Sequence, residues 1–375
     1  MRVCYFGTYR QEYSRNQIMI ESLRRAGVDV IECNQQLWSG IEDRVQAVRG
    51  RWLHPSFWGR LLSTYSRLLR NYRQVGSYDV LMIGYPGQLD VFLGRLLSWL
   101  RRKPLVWDFF MSIYLISQER GLDKQNPRAV RALFWLEKMG LILPDLLIQD
   151  TAEYVDWIQH TYGLSSTDFC LVPTGADDRV FFPQPVPSQE KGHFLVTYYG
   201  TLIPNHGVPI MVEAAHLLSD QPDIHFELIG DGPDREKAQA LAQKYDLKNI
   251  TFIEWLDKEA LVQRVAQADA CLGAVGVTPQ SLMTIQNKIY EALAMGKAVI
   301  TGDSLTMRNT FVHGEHLYLC ERENPRSLAD AILSLREHPE LREKIARQGY
   351  NHYKEHFSFD QIGARLKQCL VERIR

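Results

Sequence analysis

Short apolar runs alternate with segments of helical period along most of this chain. "RVCYFGT", ending in Gly7 and Thr8, predicts a buried first strand, and "NQIMIESLRRAG" follows with the helical period and a glycine stop. "VDVIEC", "YDVLMIGYP", "KPLVWDFF", "LPDLLIQDT" and "FCLVPTGAD" predict further strands, with "GQLDVFLGRLLSWLRR" as a helix between two of them. Strand and helix in alternation imply a mostly parallel sheet.

The pattern then lapses. "GADDRVFFPQPVPSQEKG" is rich in proline and charge and has no period, so it predicts an interdomain linker. Alternation resumes with the strands "FLVTYYGT", "IHFELIGDG", "ITFIEW", "ACLGAV" and "KAVIT", separated by helices, the last of them "TIQNKIYEALAMG". The tail "FSFDQIGARLKQCLVERIR" predicts one amphipathic helix, expected to return to the first half. The expectation is therefore α/β: two Rossmann-like doubly wound domains facing a cleft. Residues 1–175 form the first, 176–193 the linker, 194–355 the second, and 356–375 the closing helix. Ligands of open α/β sheets bind beyond the carboxyl ends of the strands. That directs attention to the loops at Gly7, Gly200 and Gly230-Asp231-Gly232.

The segment "NKIYEALAMGKAVITGD" carries the sharpest chemistry. Lys288 and Glu291 are three residues apart and share a helix face, while Ile285, Ile289 and Leu293 form an apolar row elsewhere. A helix start exposes backbone N–H groups and a partial positive charge, a natural phosphate site to which Lys288 adds a full charge. A carboxylate such as Glu291 can hold the two hydroxyls of a ribose. Together they describe a nucleoside diphosphate site without a metal. The plainer reading, a solvated ion pair, stays open.

The phrases "YYGTLIPNHGVPIMVEAAHLL", "FELIGDGP", "ITFIEWLDKEALVQRVAQADACL" and "NKIYEALAMGKAVIT", with "VPTGADDRVFFP" before them, resemble the retaining GT-B glycosyltransferases of the family 4-like group (glycosyl transferases group 1). The resemblance implies a metal-independent hexosyltransferase that uses a nucleotide-diphosphate sugar and retains anomeric configuration. It places Gly230, Asp231 and Gly232 near the donor nucleotide. That family often has a second glutamate eight residues before the ribose-gripping one; here the position is Met283, so the backbone amides from Thr284 and Ile285 to Asn287 are expected to serve the sugar. Where it often has an arginine and a lysine after the "YYG"-type strand, this chain has Thr201 and His206, which leaves Lys288 to supply the charge.

In the first half, Asp108 ends the "LVWD" strand, where the family often carries a catalytic histidine; it is expected to face the cleft and order a hydroxyl, or else to cap the next turn. Arg10 and Arg15 are candidates to reach the diphosphate, and Tyr85 and Gln88 to meet the acceptor. Asp150-Thr151 is read as a helix cap.

Composition narrows the classes. Net charge is -1, so any polyanion must meet a local patch, and no nucleic-acid partner is expected. Such a patch is the run from Arg44 to Arg73, seven arginines interleaved with tryptophan and leucine and no acid, which suits an anionic membrane surface or a solvated core helix. The six cysteines lack zinc spacing and predict buried free thiols in a reducing compartment. No signal-like segment and no run near the ~18 apolar residues of a membrane span is seen, so a cytoplasmic protein, peripheral on the inner membrane face, is expected. No H-x-x-x-H or D-x-D pattern supports a metal, and no cofactor beyond the donor is expected. Arg235 stands where a dinucleotide fingerprint needs its third glycine. A nucleotide-sugar epimerase and a non-catalytic nucleotide-sugar or membrane module remain as rivals to a transferase of polysaccharide or glycolipid synthesis.

Overall fold

The computed structural model describes residues 1–50, 54–164, 168–185 and 192–373. Part of the expected linker, 186–191, and Arg51 and Trp52 of the basic run lie outside the described residues. The chain divides into two compact units: Met1–Pro173 with Phe359–Arg375, and Thr174–Ser358.

The first unit holds β1 (Arg2–Gly7), β2 (Asp29–Asn34), β3 (Val80–Ile83), β4 (Leu105–Asp108), β5 (Leu146–Gln149) and β6 (Phe169–Leu171). They form one parallel sheet in the order β2-β1-β3-β4-β5-β6. The runs "VLMI", "LVWD" and "LLIQ" are buried at every residue, because helices cover both sheet faces and no alternation of polar positions is needed. Thr151 caps its helix by accepting from the Tyr154 N–H, as its sequence context predicts.

The last helix, Phe359–Arg373, belongs to this unit. Its Phe359, Ile362, Leu366 and Leu370 join Tyr5, Ile18 and Met19 in one core. Lys367 donates to the Ala26 carbonyl at the end of the helix Ser14–Arg25 (2.7 Å). A second link is covalent. Cys170 in β6 is bonded to Cys369, which corrects the expectation that all six cysteines are free thiols and removes its support for a reducing compartment. The partners are 199 residues apart, a pairing that only the return of the last helix creates. Cys4, Cys33, Cys271 and Cys320 are free and buried, and burial pushes the last three up to about 12.

The second unit holds β7 (Phe194–Tyr199), β8 (Ile224–Ile229), β9 (Ile250–Ile253), β10 (Ala270–Leu272), β11 (Ala298–Gly302) and β12 (Tyr318–Cys320). Its parallel sheet runs β12-β11-β10-β7-β8-β9. The chain winds outward from β7 through β9, then restarts at β10 on the other side. The order therefore reverses between β7 and β10, the topological switch point of this sheet. One apolar core packs around the helix Val208–Leu217 and another around the helix Asn287–Ala294.

Gly363 sets how closely the last helix approaches its partner. A Cβ there would stand 2.1 Å from the Ser22 carbonyl oxygen. Helix propensity alone would make Gly363→Ala stabilising by about 1 kcal/mol. Overpacking against backbone costs about 1–3 kcal/mol and is expected to win. Urea denaturation followed by circular dichroism should show a lower midpoint for the variant; a higher one would mean that the contact is loose.

Candidate functional site

The site in the second unit is built from the carboxyl end of β7 and the start of the helix Asn287–Ala294. The predicted single helix from Thr284 is interrupted. A short helix, Pro279–Met283, ends at Thr284, residues up to Gln286 are extended, and the next helix begins at Asn287. Thr284 spends its hydroxyl on the Gln280 carbonyl (2.8 Å), and Ile285 is buried in the core. Gln286 gives no side-chain cap, so the leading N–H groups are left without that partner. Lys288 is then the second residue of the helix, one turn before Glu291.

Lys288 is buried, and its ammonium lies among neutral groups. Nζ is 3.4 Å from the Tyr198 hydroxyl, 3.3–3.4 Å from the two ring nitrogens of His206, and 4.6 Å from the centre of the Tyr198 ring. Gly200 makes the room: with φ of +132°, it would place a Cβ 3.1 Å from Nζ. The backbone of Lys288 is tied as well, since Tyr199 donates its hydroxyl to the Lys288 carbonyl (3.0 Å). Burial pushes Lys288 down to about 7 despite the Glu291 carboxylate, and burial pushes Glu291 up to about 7 despite Lys288.

His206 is fixed by the Thr201 carbonyl, 2.6 Å from Nδ1. A carbonyl can only accept, so Nδ1 carries the proton, and Lys288 Nζ sits 3.3–3.4 Å from both ring nitrogens rather than along the lone pair of either. Burial and the neighbouring ammonium hold the imidazole well below its usual range, hence neutral. Thr201 and His206 therefore stand at the site, but as carbonyl and neutral ring rather than as cations.

The Gly230-Asp231-Gly232 turn leaves β8 beside the same loop. A Cβ at Gly230 would meet the Gly200 carbonyl, and one at Gly232 the Leu202 backbone. Asp231 is exposed and turns back onto the Gly232 N–H (2.8 Å). Arg235 donates to the Gly230 carbonyl, so the residue that breaks the dinucleotide fingerprint pins this turn. Met283 is buried.

Candidates of the first unit are placed differently. Asp108, expected at a cleft-facing position, is 0% exposed and takes both guanidinium bonds of Arg15 at 2.9 Å. Arg15, expected to reach a diphosphate, also donates to the Val172 and Pro173 carbonyls (2.9 and 3.0 Å). Burial opposes its charge, but Asp108 beside it prevails and raises its pKa. Nor does Asp108 cap the following turn; Ser112 does, accepting from Leu115 N–H. The Tyr85 hydroxyl accepts from Arg44 (2.9 Å), and Gln88 donates to Met111 and Glu137, so both are buried within the fold. Gly7 is beside the Asp90 carboxylate, and Arg10 is half-buried, 3.9 Å from Glu12.

Residues 182–352 match the family described as glycosyl transferases group 1. The matched segment lies within the second unit. D-inositol 3-phosphate glycosyltransferase of Corynebacterium glutamicum is 23% identical over 335 residues, covering 77% of this chain and 78% of its own. Other curated relatives align over about half of their own length or less. Sucrose-phosphate synthase of Thermosynechococcus elongatus superposes over 99% of this chain and 98% of its own, with a TM-score of 0.75 at 16% identity. HepE of Anabaena, solved in complex with UDP-glucose, covers 99% of both chains with a TM-score of 0.66, also at 16% identity. The fold is thus that of the GT-B glycosyltransferases.

In this group 1 half, Tyr198 and Tyr199 are the residues that sequence reasoning passed over. They end β7 as adjacent residues on opposite sheet faces, one toward Lys288 and His206, the other toward Glu291. The signal was two hydroxyl-bearing rings closing an otherwise apolar strand. Among the described residues no cluster of three or more His, Cys, Asp or Glu is arranged to hold a metal.

The buried ammonium has a stability signature. The folded-state pKa of Lys288 is depressed, so the unfolded chain binds more protons between about 7 and 10.5, and stability rises with pH across that window. Lys288→Met removes the cost. It should stabilise the protein by on the order of 3 kcal/mol at pH 6, with the gain shrinking toward pH 10 in urea melts. A destabilised variant at pH 6 would show that the ammonium is neutralised within the apo fold.

Proposed function

We propose that the protein transfers a hexosyl group from a nucleoside-diphosphate sugar to a hydroxyl of a sugar or lipid-linked acceptor, without a metal and with retention at the anomeric carbon. The observation that carries this reading is the Lys288 ammonium, buried among neutral groups at an uncapped helix start, at the switch point of a group 1 sheet. The complex of HepE with UDP-glucose supports a donor of this class.

The chain's own groups then have distinct work. The bond from the anomeric carbon to the diphosphate breaks, and one to the acceptor oxygen forms. The acceptor's proton passes to the departing diphosphate, which leaves as nucleoside diphosphate. Negative charge grows on the diphosphate in the transition state, and Lys288 with the N–H groups of its helix stabilises it without reorganising. The neutral His206 ring packs against the Lys288 ammonium, and Glu291 holds the ribose hydroxyls. Asp108, committed to Arg15, is assigned to holding the first unit together and not to proton transfer.

Incubation with UDP- and GDP-sugars and a crude lipid extract tests this reading. Free nucleotide released only when acceptor is present supports transfer, an epimerised donor supports an epimerase, and no turnover of any donor supports a binding module. Lys288→Ala should cost about 2–4 kcal/mol in kcat/KM, and an unchanged rate removes Lys288 from the chemistry.

Binding should also be proton-linked. Free Lys288 titrates near 7, and a bound diphosphate raises that value. UDP affinity should therefore fall as pH rises above about 7, and binding at pH 8 should take up a proton. Calorimetry in buffers of different ionisation heat measures this. Lys288→Arg should abolish the uptake while keeping the charge.

A further inference from the structure

Three helices of the first unit are linked: Pro55–Tyr72 and Asp90–Arg101, and the end of Pro127–Leu141, which meets the start of Asp90–Arg101. Tyr65 donates to Asp90 (2.6 Å), and Arg101 stacks over Tyr72 (4.6 Å), which joins the first helix to the second. Gly140 lets the third pack on Val91 of the second, where a Cβ would stand 3.2 Å from a Val91 methyl. The middle helix turns Gly94 toward Ile83 and Leu105 of the sheet. Its opposite stripe, Phe92, Leu96, Trp99 and Leu100, is exposed, with Trp99 at 66% and Leu100 at 73%. Trp135, Met139 and Ile142 are exposed at i, i+4 and i+7 spacing along and just past the third helix, and Trp58 and Leu62 on the first.

The charge of this face has one sign. Arg67, Arg70 and Arg73 are exposed at the end of the first helix, Arg102 follows the second, and Arg128 and Arg131 begin the third. The acids on these helices, Asp90 and Glu137, are buried: Asp90 accepts from Thr8 and Tyr65, Glu137 from Ser112, Ile113 and Tyr162. Asp145, after the third helix, is held by Arg95. The expected patch from Arg44 to Arg73 is thereby narrowed, because Arg44 is buried on Tyr85 and Arg60 is paired with Asp43 (3.2 Å).

We propose that this three-helix face docks on an anionic bilayer surface, with Trp99, Leu100 and Trp135 entering the interface and the arginines meeting lipid phosphates. Amphipathic tryptophan at headgroup level with a cationic rim is the chemistry such a surface recognises. A second copy of the chain fits less well, since it would oppose two rims of the same sign. The proposal rests on the lipid-linked side of the acceptor reading above. Binding is measured without turnover, so either can fail alone.

The test is co-sedimentation of the full chain with phosphatidylglycerol/phosphatidylcholine vesicles and with phosphatidylcholine alone. The mixed vesicles should capture the protein, and added salt should weaken capture. The combined variant Leu96→Ser, Trp99→Ser and Leu100→Ser, and separately Arg67→Gln, Arg70→Gln and Arg73→Gln, should each lose at least tenfold in partitioning, with circular dichroism unchanged. Equal binding to neutral vesicles, no binding to either, or unchanged capture of both variants would overturn the proposal. So would a dimer in sedimentation velocity that the apolar variant abolishes while wild type ignores vesicles.

Discussion

The second unit is organised around one expensive choice, an ammonium taken out of water with neutral groups against it and a Glu291 carboxylate that does not offset the burial. Desolvating a cation costs several kcal/mol unless a countercharge arrives. Here the neighbours are a phenol, an imidazole and a ring face. Several other features follow from it. Gly200 has no side chain because Lys288 fills that space. His206 is neutral because burial disfavours its charged form and a second cation beside Lys288 would be repelled. Tyr199 fixes the Lys288 carbonyl, so the helix start cannot swing away from β7. An arriving dianion would find the charge already aimed, which is what preorganisation means at a phosphate site.

Much of this fold was legible in the sequence. Among the described residues, eleven of the twelve strands fall on the runs read as strands, and in β3, β4, β5, β7, β10 and β11 burial at every position makes the run nearly continuous. β12 was missed because Tyr318–Cys320 is three residues long and half-buried, too short to show a pattern. The break at Thr284–Gln286 was also missed. Its residues continue the apolar spacing, and nothing local shows that Thr284 bonds back to Gln280. Lys288 and Glu291 were legible because a helix turn fixes their relation. Asp108 was not, because its partner Arg15 is 93 residues away and only the assembled sheet brings the two together. Cys170 and Cys369 repeat that lesson at longer range.

The contrast between the two units separates structural from chemical charge. In the first, every buried charge discussed above has its partners. Arg15 and Asp108 neutralise each other, Asp90 accepts from Thr8 and Tyr65, and Glu137 accepts from backbone and hydroxyl donors. Such groups are satisfied in the apo fold, and an added ligand would have to displace bonds already made. Lys288 has the opposite character. The Glu291 carboxylate does not offset its burial, so the fold carries a cost that an added anion relieves. Burial alone would have ranked Asp108 above Lys288 as a site residue; whether the charge is already answered within the protein reverses that order.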